Sequence, residues 1–223
     1  NNLAMQIQKR RHKFPSPFKM LYSNGAPLPP PFTGVDHVQQ VTPTYYQKAI
    51  DAGEPPDKHT LLPYGIHVPE GDPIWDREQR RAFRRQLQLP PDRPLVLSVG
   101  WISAELKRMD YLIDEMASLP QPRPFVVLLG EIDEKSPPII QQAGEKLGYG
   151  NYAIRSVPYE QVGHYYACAD VFALASLEEG FGRVFLEALI HGLPCIASDH
   201  PIMRYVLGEQ GTFGDLSQVG MLA

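Results

Sequence analysis

The sequence predicts an α/β protein: a doubly wound parallel sheet over residues 72–223, preceded by a shorter α/β stretch over residues 1–67. Three observations predict it. Short runs at 95–99 (Leu-Val-Leu-Ser-Val), 125–129 (Phe-Val-Val-Leu-Leu), 171–174 (Val-Phe-Ala-Leu) and 194–197 (Pro-Cys-Ile-Ala) are apolar almost without interruption. Strands that are apolar on both sides belong to parallel sheets covered on both faces. Stretches with helical periodicity separate these runs, as crossover connections require. Glycines close element after element, at Gly100, Gly130, Gly148 and Gly192, where the chain must stop and turn.

The elements follow in order. The cluster at 27–31 holds four prolines in five positions and reads as irregular extended chain in a packed loop. A short strand is expected at 36–42. A helix follows at 43–52, with Thr42 as N-cap and Gly53 beyond its end, then a strand at 59–63. Asp76 caps a basic helix over 77–87. From there strands and helices alternate: strand 94–100, then helix 107–119 with Met109, Leu112, Ile113 and Met116 on one face. Strand 125–129, helix 138–147, strand 152–157 and helix 159–169 come next. Strand 171–174, helix 182–191, strand 194–197, a short helix at 202–207 and a last strand at 212–213 complete the pattern. His164, Tyr165 and Tyr166 fall on a core-facing helix and are expected to be structural.

Composition sets limits on function. The apolar fraction is 43% and the charged fraction 21%, ordinary for a globular protein. A net charge of −4 argues against a nucleic-acid partner. No apolar run approaches the length of a spanning helix, and residues 1–13 lack a signal-peptide core. The basic cluster at 9–13 reads as a solvated helix end, with membrane-surface contact as the alternative. The two cysteines, Cys168 and Cys195, sit in apolar settings and read as buried free thiols in a reducing, cytoplasmic compartment. No metal-ligand spacing occurs, so no metal is expected. His37, His59, His67 and His191 have no acid or nucleophile beside them in sequence, and no chemistry is assigned to them.

Glu179 and Glu187, with seven residues between them, are the most informative feature. A carboxylate, the turn Gly180-Phe181-Gly182, a short apolar helix and a second carboxylate form one package. Glycines let the backbone approach a ligand closely. The helix start offers unpaired N–H groups and the positive end of its dipole. Glu187 stands five residues into the helix, about 7.5 Å along its axis. Open parallel sheets bind ligands at the carboxyl ends of their strands, at the switch point. Lys107 follows the first strand of the larger sheet, Glu179 the fourth and His200 the fifth. Neither a G-x-G-x-x-G fingerprint nor a phosphate loop with its GK[ST] ending is present, so dinucleotide and P-loop sites are not favoured.

Five segments in order carry a family resemblance: Leu62-Pro63-Tyr64-Gly65-Ile66, Ser98-Val99-Gly100 followed by Lys107, residues 165–172, the acidic motif at 176–188, and Gly192 to Asp199. Together they resemble the retaining family 4 glycosyltransferases (group 1). The resemblance implies one half of a two-domain GT-B fold, with Rossmann-like domains. Residues 72–223 would be the nucleotide-sugar donor domain, and 1–67 the end of the acceptor-side domain with its linker. It implies transfer of a sugar from a nucleoside diphosphate to an acceptor hydroxyl with retention, in carbohydrate biosynthesis, and no cofactor beyond the donor. By the resemblance Glu187 holds the ribose hydroxyls. Glu179 and the N–H groups of Gly180, Phe181 and Gly182 hold the sugar, Lys107 beside Gly100 neutralises the diphosphate, and the backbone at His200 and Ile202 meets the phosphates. The base would lie near residues 155–158.

Two positions depart from the pattern. Trp101 stands where the family has arginine, and Arg108 where it has glycine; Arg108 or Arg204 is expected to supply the missing charge. The opening half of the first domain has no counterpart in the sequence, so the chain is expected to be a fragment carrying the donor site. The resemblance leaves the acceptor open among a sugar, a lipid and a polysaccharide, and assigns any peripheral membrane contact to the missing part. The rival readings are a non-catalytic nucleotide-sugar-binding module and a nucleotide-sugar epimerase on the same fold.

Overall fold

A computed structural model describes residues 6, 7, 9–26, 28–68, 70, 71 and 75–223. The expectations for residues 1–5, for Pro27 within the proline cluster and for the start of the second domain at 72–74 lie outside the described residues. The chain forms two compact units, residues 1–65 and 66–223.

The first unit holds three parallel strands in the order β1 (Leu21–Asn24), β2 (His37–Gln40), β3 (His59–Leu61). Helix α1 (Pro43–Asp51) starts at Thr42, whose hydroxyl accepts from Tyr45 N at 3.4 Å. A small apolar core, Phe32, Val38 and Ala49, is supplemented by a polar ladder across the strands. Asn24 Nδ2 donates to Gln40 Oε1 at 2.9 Å, Gln40 Nε2 lies 3.1 Å from His59 Nδ1, and His59 Nε2 lies 3.4 Å from Glu54. Each buried polar group therefore meets another, which is the condition for burying them at all. His59, without an assignment from sequence, is a member of this ladder. Strand β1 was not anticipated: Leu21 is 75% exposed, so no apolar pattern marks it and only its pairing with β2 defines it. The basic cluster is not wholly solvated either, because Arg11 turns to Asp36 at 2.9 Å and to the Phe18 carbonyl.

The second unit is a six-stranded, all-parallel sheet. Its strands are β4 (Leu95–Val99), β5 (Phe125–Leu129), β6 (Tyr152–Arg155), β7 (Val171–Leu174), β8 (Cys195–Ser198) and β9 (Gly211–Gly214). Their spatial order is β6-β5-β4-β7-β8-β9. The chain winds outward from β4 to β6, then returns to lay β7 on the other side of β4. This is the doubly wound order, with its switch point between β4 and β7. The crossover helices are α3 (Met109–Ser118), α4 (Pro137–Lys146), α5 (Tyr159–Cys168), α6 (Arg183–Ile190) and α7 (Pro201–Leu207), preceded by α2 (Arg77–Gln86). Leu97, Val126, Val127, Leu128 and Phe172 are fully buried in the strands, and Leu112, Ile113 and Ala188 seal them from the helices. Among the described residues no helix is long and apolar enough to cross a membrane.

Two charged residues lie inside this unit because their partners are complete. Glu115 of α3 is 1% exposed and accepts from the backbone N–H groups of Gly220, Leu222 and Ala223 at 2.7–3.2 Å, which fastens residues 215–223 against α3. Arg84 of α2, which is capped by a reciprocal Asp76–Gln79 box, is 4% exposed. Its Nε donates to the Cys168 carbonyl at 2.7 Å, its Nη1 to the Arg93 carbonyl at 3.0 Å and its Nη2 to Asp170 Oδ2 at 2.8 Å. Asp170 also accepts from Leu95 N at 2.8 Å, so one guanidinium ties α2 to the starts of β4 and β7. Removing this buried guanidinium leaves the Cys168 and Arg93 carbonyls without their donor, at a cost of about 1–3 kcal/mol. In urea denaturation Arg84→Ala is expected to lower the unfolding free energy of the second unit by about that amount, and Arg84→Lys to restore only part, because an ammonium cannot span all three acceptors.

Candidate functional site

The strand order sets the loops after β4 and β7 side by side. Lys107 from the first loop and Glu179 from the second meet there, Nζ to Oε1 at 2.5 Å, with side chains 22% and 10% exposed. Seventy-two residues separate them in sequence, so the pair exists only through the crossover. Gly100 ends β4 against Lys107: a Cβ at Gly100 would stand 3.0 Å from Lys107 Cγ. Gly130 ends β5 against Gly100, and a Cβ there would stand 1.7 Å from the Gly100 carbonyl oxygen. Only glycine fits such an approach, so the lysine stem and the two strand ends occupy one tight space.

Gly180 and Glu179 are half-buried, whereas Phe181 and Gly182 are buried. Gly182 has φ +81° and is the N-cap of α6, a left-handed position suited to glycine, while Phe185 of the first turn packs edge-on against Phe172 of β7 at 5.2 Å. Helix α6 therefore begins at Arg183, one residue later than expected. Glu187 stands on its second turn, where its two carboxylate oxygens accept from Tyr159 and Tyr166 of α5 at 3.3 and 3.1 Å. Tyr166 is buried, and burial with the neighbouring Glu187 charge pushes its hydroxyl well above the ordinary tyrosine range, so it remains a donor at physiological pH. Its ring stacks on His191 at 5.8 Å. Glu187, the two tyrosines, His67 and His191 line a cleft of about 410 Å³. Lys107 and Glu179 do not line it, so the two glutamates of the motif serve different walls.

Tyr159 and Tyr166 escaped the sequence reading as site residues. Their spacing of seven places both on one helix face, but nothing in sequence pairs that face with Glu187. At the end of β8, His200 caps α7, its Nδ1 accepting from Ile202 N at 3.3 Å, so the Ile202 amide has a partner within the chain. The Cys168 and Cys195 thiols are buried, and burial pushes them up to about 11 and about 12; both are far from thiolate formation.

The two arginines weighed as replacement charges are engaged. Arg204 forks onto Asp199 at 2.6 and 2.7 Å, which holds the Asp199 carboxyl below its usual range. Arg108 donates from Nη1 to the Leu216 carbonyl at 2.5 Å and lies 4.4 Å above the Tyr111 ring. Its backbone is left-handed, φ +49° and ψ +47°, so α3 starts at Met109 instead of at 107. Trp101 is 46% exposed.

A doubly wound parallel sheet with a lysine–glutamate pair across its switch point defines a Rossmann-like domain with its candidate site at the strand carboxyl ends. Solved structures share this fold. The sucrose-phosphate synthase of Thermosynechococcus elongatus matches with TM-score 0.77 and 21% identity over 98% of this chain and 60% of that one. HepE of Anabaena, crystallised with UDP and glucose, matches with TM-score 0.73 and 20% identity over 85% of this chain and 52% of that one. Both are GT-B glycosyltransferase structures. A sequence model described as "Glycosyl transferases group 1" matches residues 79–215, and the chain belongs to that family. A D-inositol 3-phosphate glycosyltransferase of Xylanimonas cellulosilytica is 30% identical over 64% of the chain and 35% of its own length. A putative teichuronic acid biosynthesis glycosyltransferase, TuaC of Bacillus subtilis, is 32% identical over 63% of the chain and 33% of its own length. The chain thus spans about a third of the length of these curated relatives.

A non-glycine residue in left-handed geometry costs about 1–2 kcal/mol, which Arg108 offsets through Leu216 and Tyr111. Arg108→Ala keeps the strained backbone and loses the anchor, whereas Arg108→Gly loses the anchor and relieves the strain. Thermal unfolding should therefore find the alanine variant less stable than the glycine variant by about 1 kcal/mol; equal losses would show that backbone strain is not stored there.

Proposed function

We propose that this chain carries the donor-binding half of a retaining glycosyltransferase that transfers a sugar from a nucleoside diphosphate to an acceptor hydroxyl. The observation that carries this reading is the Lys107–Glu179 contact at the switch point, the place where an open α/β sheet receives its ligand. Solved neighbours of the same fold hold UDP and UDP-glucose, which supports a nucleotide-sugar donor. The relatives named for inositol phosphate, teichuronic acid and lipopolysaccharide transfer support a polyhydroxylated acceptor.

In this reading the negative charge that grows on the departing diphosphate falls to Lys107. An ammonium has three donors, so it can keep Glu179 on one and offer the others to phosphate oxygens. Holding the lysine in place beforehand removes reorganisation from the reaction step, and that preorganisation is where electrostatic catalysis gains most. Glu179 turns its remaining acceptor capacity to the sugar hydroxyls, joined by the N–H groups of Gly180, Phe181 and Gly182. The backbone at Gly100, His200 and Ile202 lies toward the phosphates, the Ile202 N–H giving up its bond to the His200 ring to reach them, and Arg108 shapes the lysine loop. Glu187 receives the ribose diol. A carboxylate has about four acceptor sites and the tyrosines use two, which leaves one for each ribose hydroxyl. No enzymic nucleophile is assigned.

Calorimetric titration with UDP, GDP, UDP-glucose and GDP-mannose tests the donor site. One nucleotide is expected to bind, and Glu187→Ala to weaken it at least about tenfold, since a hydrogen bond to a charged group is worth about 1.5–3 kcal/mol. In the intact parent enzyme, Lys107→Ala is expected to lower kcat about 10²–10³-fold. Absence of binding by all four nucleotides would sink the reading; binding with turnover of the sugar's configuration and no acceptor would replace it by an epimerase.

A further inference from the structure

A second cleft, of about 330 Å³, lies in the same unit, and five arginines line it: Arg77, Arg80, Arg81, Arg84 and Arg93. Among the described residues only two carboxylates line it with them, Asp92 and Asp170. These residues give the cleft a local excess of three positive charges on a chain whose net charge is −4. Its position is fixed by Pro94 and Asp170, the residues just before β4 and β7. It thus opens at the amino ends of the strands, about 16 Å or more from the switch point at their carboxyl ends.

The arginines divide into two kinds. Arg84 and Arg93 are structural: Arg84 is saturated by carbonyls and Asp170, and Arg93 donates to the carbonyls of Arg123 and Pro124 and to Asn151 Oδ1. Arg77, Arg80 and Arg81 stand on one face of α2, at helical spacings of three and four. Arg80 gives Asp170 a single nitrogen at 3.2 Å, and Arg81 faces Asp92 with Nε at 2.8 Å and Nη2 at 3.1 Å. The Arg81 Nε is buried without an aligned hydrogen bond. Like charges at these spacings repel, and the two carboxylates offset only part of that. Such an arrangement is stabilised by an anion able to take several N–H donors at once.

We propose that this arginine cleft binds a phosphate-bearing anion, gripped by Arg77, Arg80 and Arg81. The planar guanidinium fork matches the oxygens of a phosphate group two at a time, and the concave site lets three forks converge. The phosphate can be free or carried on a lipid headgroup; both present the same oxygens.

The test uses the 223-residue chain with two probes: inorganic phosphate by calorimetry, and vesicles of phosphatidylglycerol in phosphatidylcholine by co-sedimentation, against phosphatidylcholine alone. Three variants accompany it: Arg77→Glu with Arg81→Gln, Arg77→Glu alone at a solvent-facing position, and Lys107→Ala. Saturable phosphate binding is expected. It should weaken at least about tenfold in the double variant and measurably in Arg77→Glu, stay within about twofold in Lys107→Ala, and fall with added salt. Binding of both probes would mark a free phosphate site that a headgroup can enter, and binding of vesicles alone would make the lipid headgroup the source. Phosphate and vesicle binding that both survive the arginine changes would overturn the proposal, as would a phosphate signal lost in Lys107→Ala alone or no binding of either probe. Should the double variant unfold, Arg77→Glu decides.

Discussion

Because the chain leaves β6 and returns to lay β7 beside β4, two loops distant in sequence end at the same point in space. That reversal is the constraint on which the rest of the second unit depends. It makes the ion pair between Lys107 and Glu179 available, next to the point where the β4–β5 pairing presses Gly100 and Gly130 together so closely that no side chain fits between them. It also places Asp170, at the start of β7, where Arg84 can tie it to the chain entering β4. Both ends of the sheet centre are thus locked by charged contacts, one satisfied within the protein and one facing a candidate ligand site.

Much of this was legible in the sequence where local chemistry and tertiary structure agree. The strands at 95–99, 125–129 and 171–174 are apolar on both faces and are found at those residues. Caps at Thr42 and Asp76 mark helices that start where the capping oxygens sit. Misses fall where structure is decided by distant partners. Strand β1 is defined by β2 and not by its own residues, and α3 begins two residues late because Arg108 is held left-handed by Leu216, more than a hundred positions away. The extended chain at 156–157 is not strand, since pairing with β5 stops at Arg155.

The site was legible to the same degree and for the same reason. The acidic motif announces two carboxylates and a glycine turn, and these stand in one continuous segment. What each carboxylate meets is not local. Glu179 takes a lysine from the β4 loop, and Glu187 takes two hydroxyls from α5, those of Tyr159 and of Tyr166, the latter read from sequence as a packing residue. Arg108 holds the start of α3 in left-handed geometry, anchored by a cation–π contact with Tyr111 and a bond to the Leu216 carbonyl.

The ladder of Asn24, Gln40, His59 and Glu54 gives the first unit an interior held by hydrogen bonds more than by apolar area. Apolar surface raises the heat capacity of unfolding and polar surface lowers it. The first unit is therefore expected to have a shallower stability curve than the apolar six-stranded unit. The two units would then respond to temperature by different physics, even though they are built from the same alternation of parallel strands and helices.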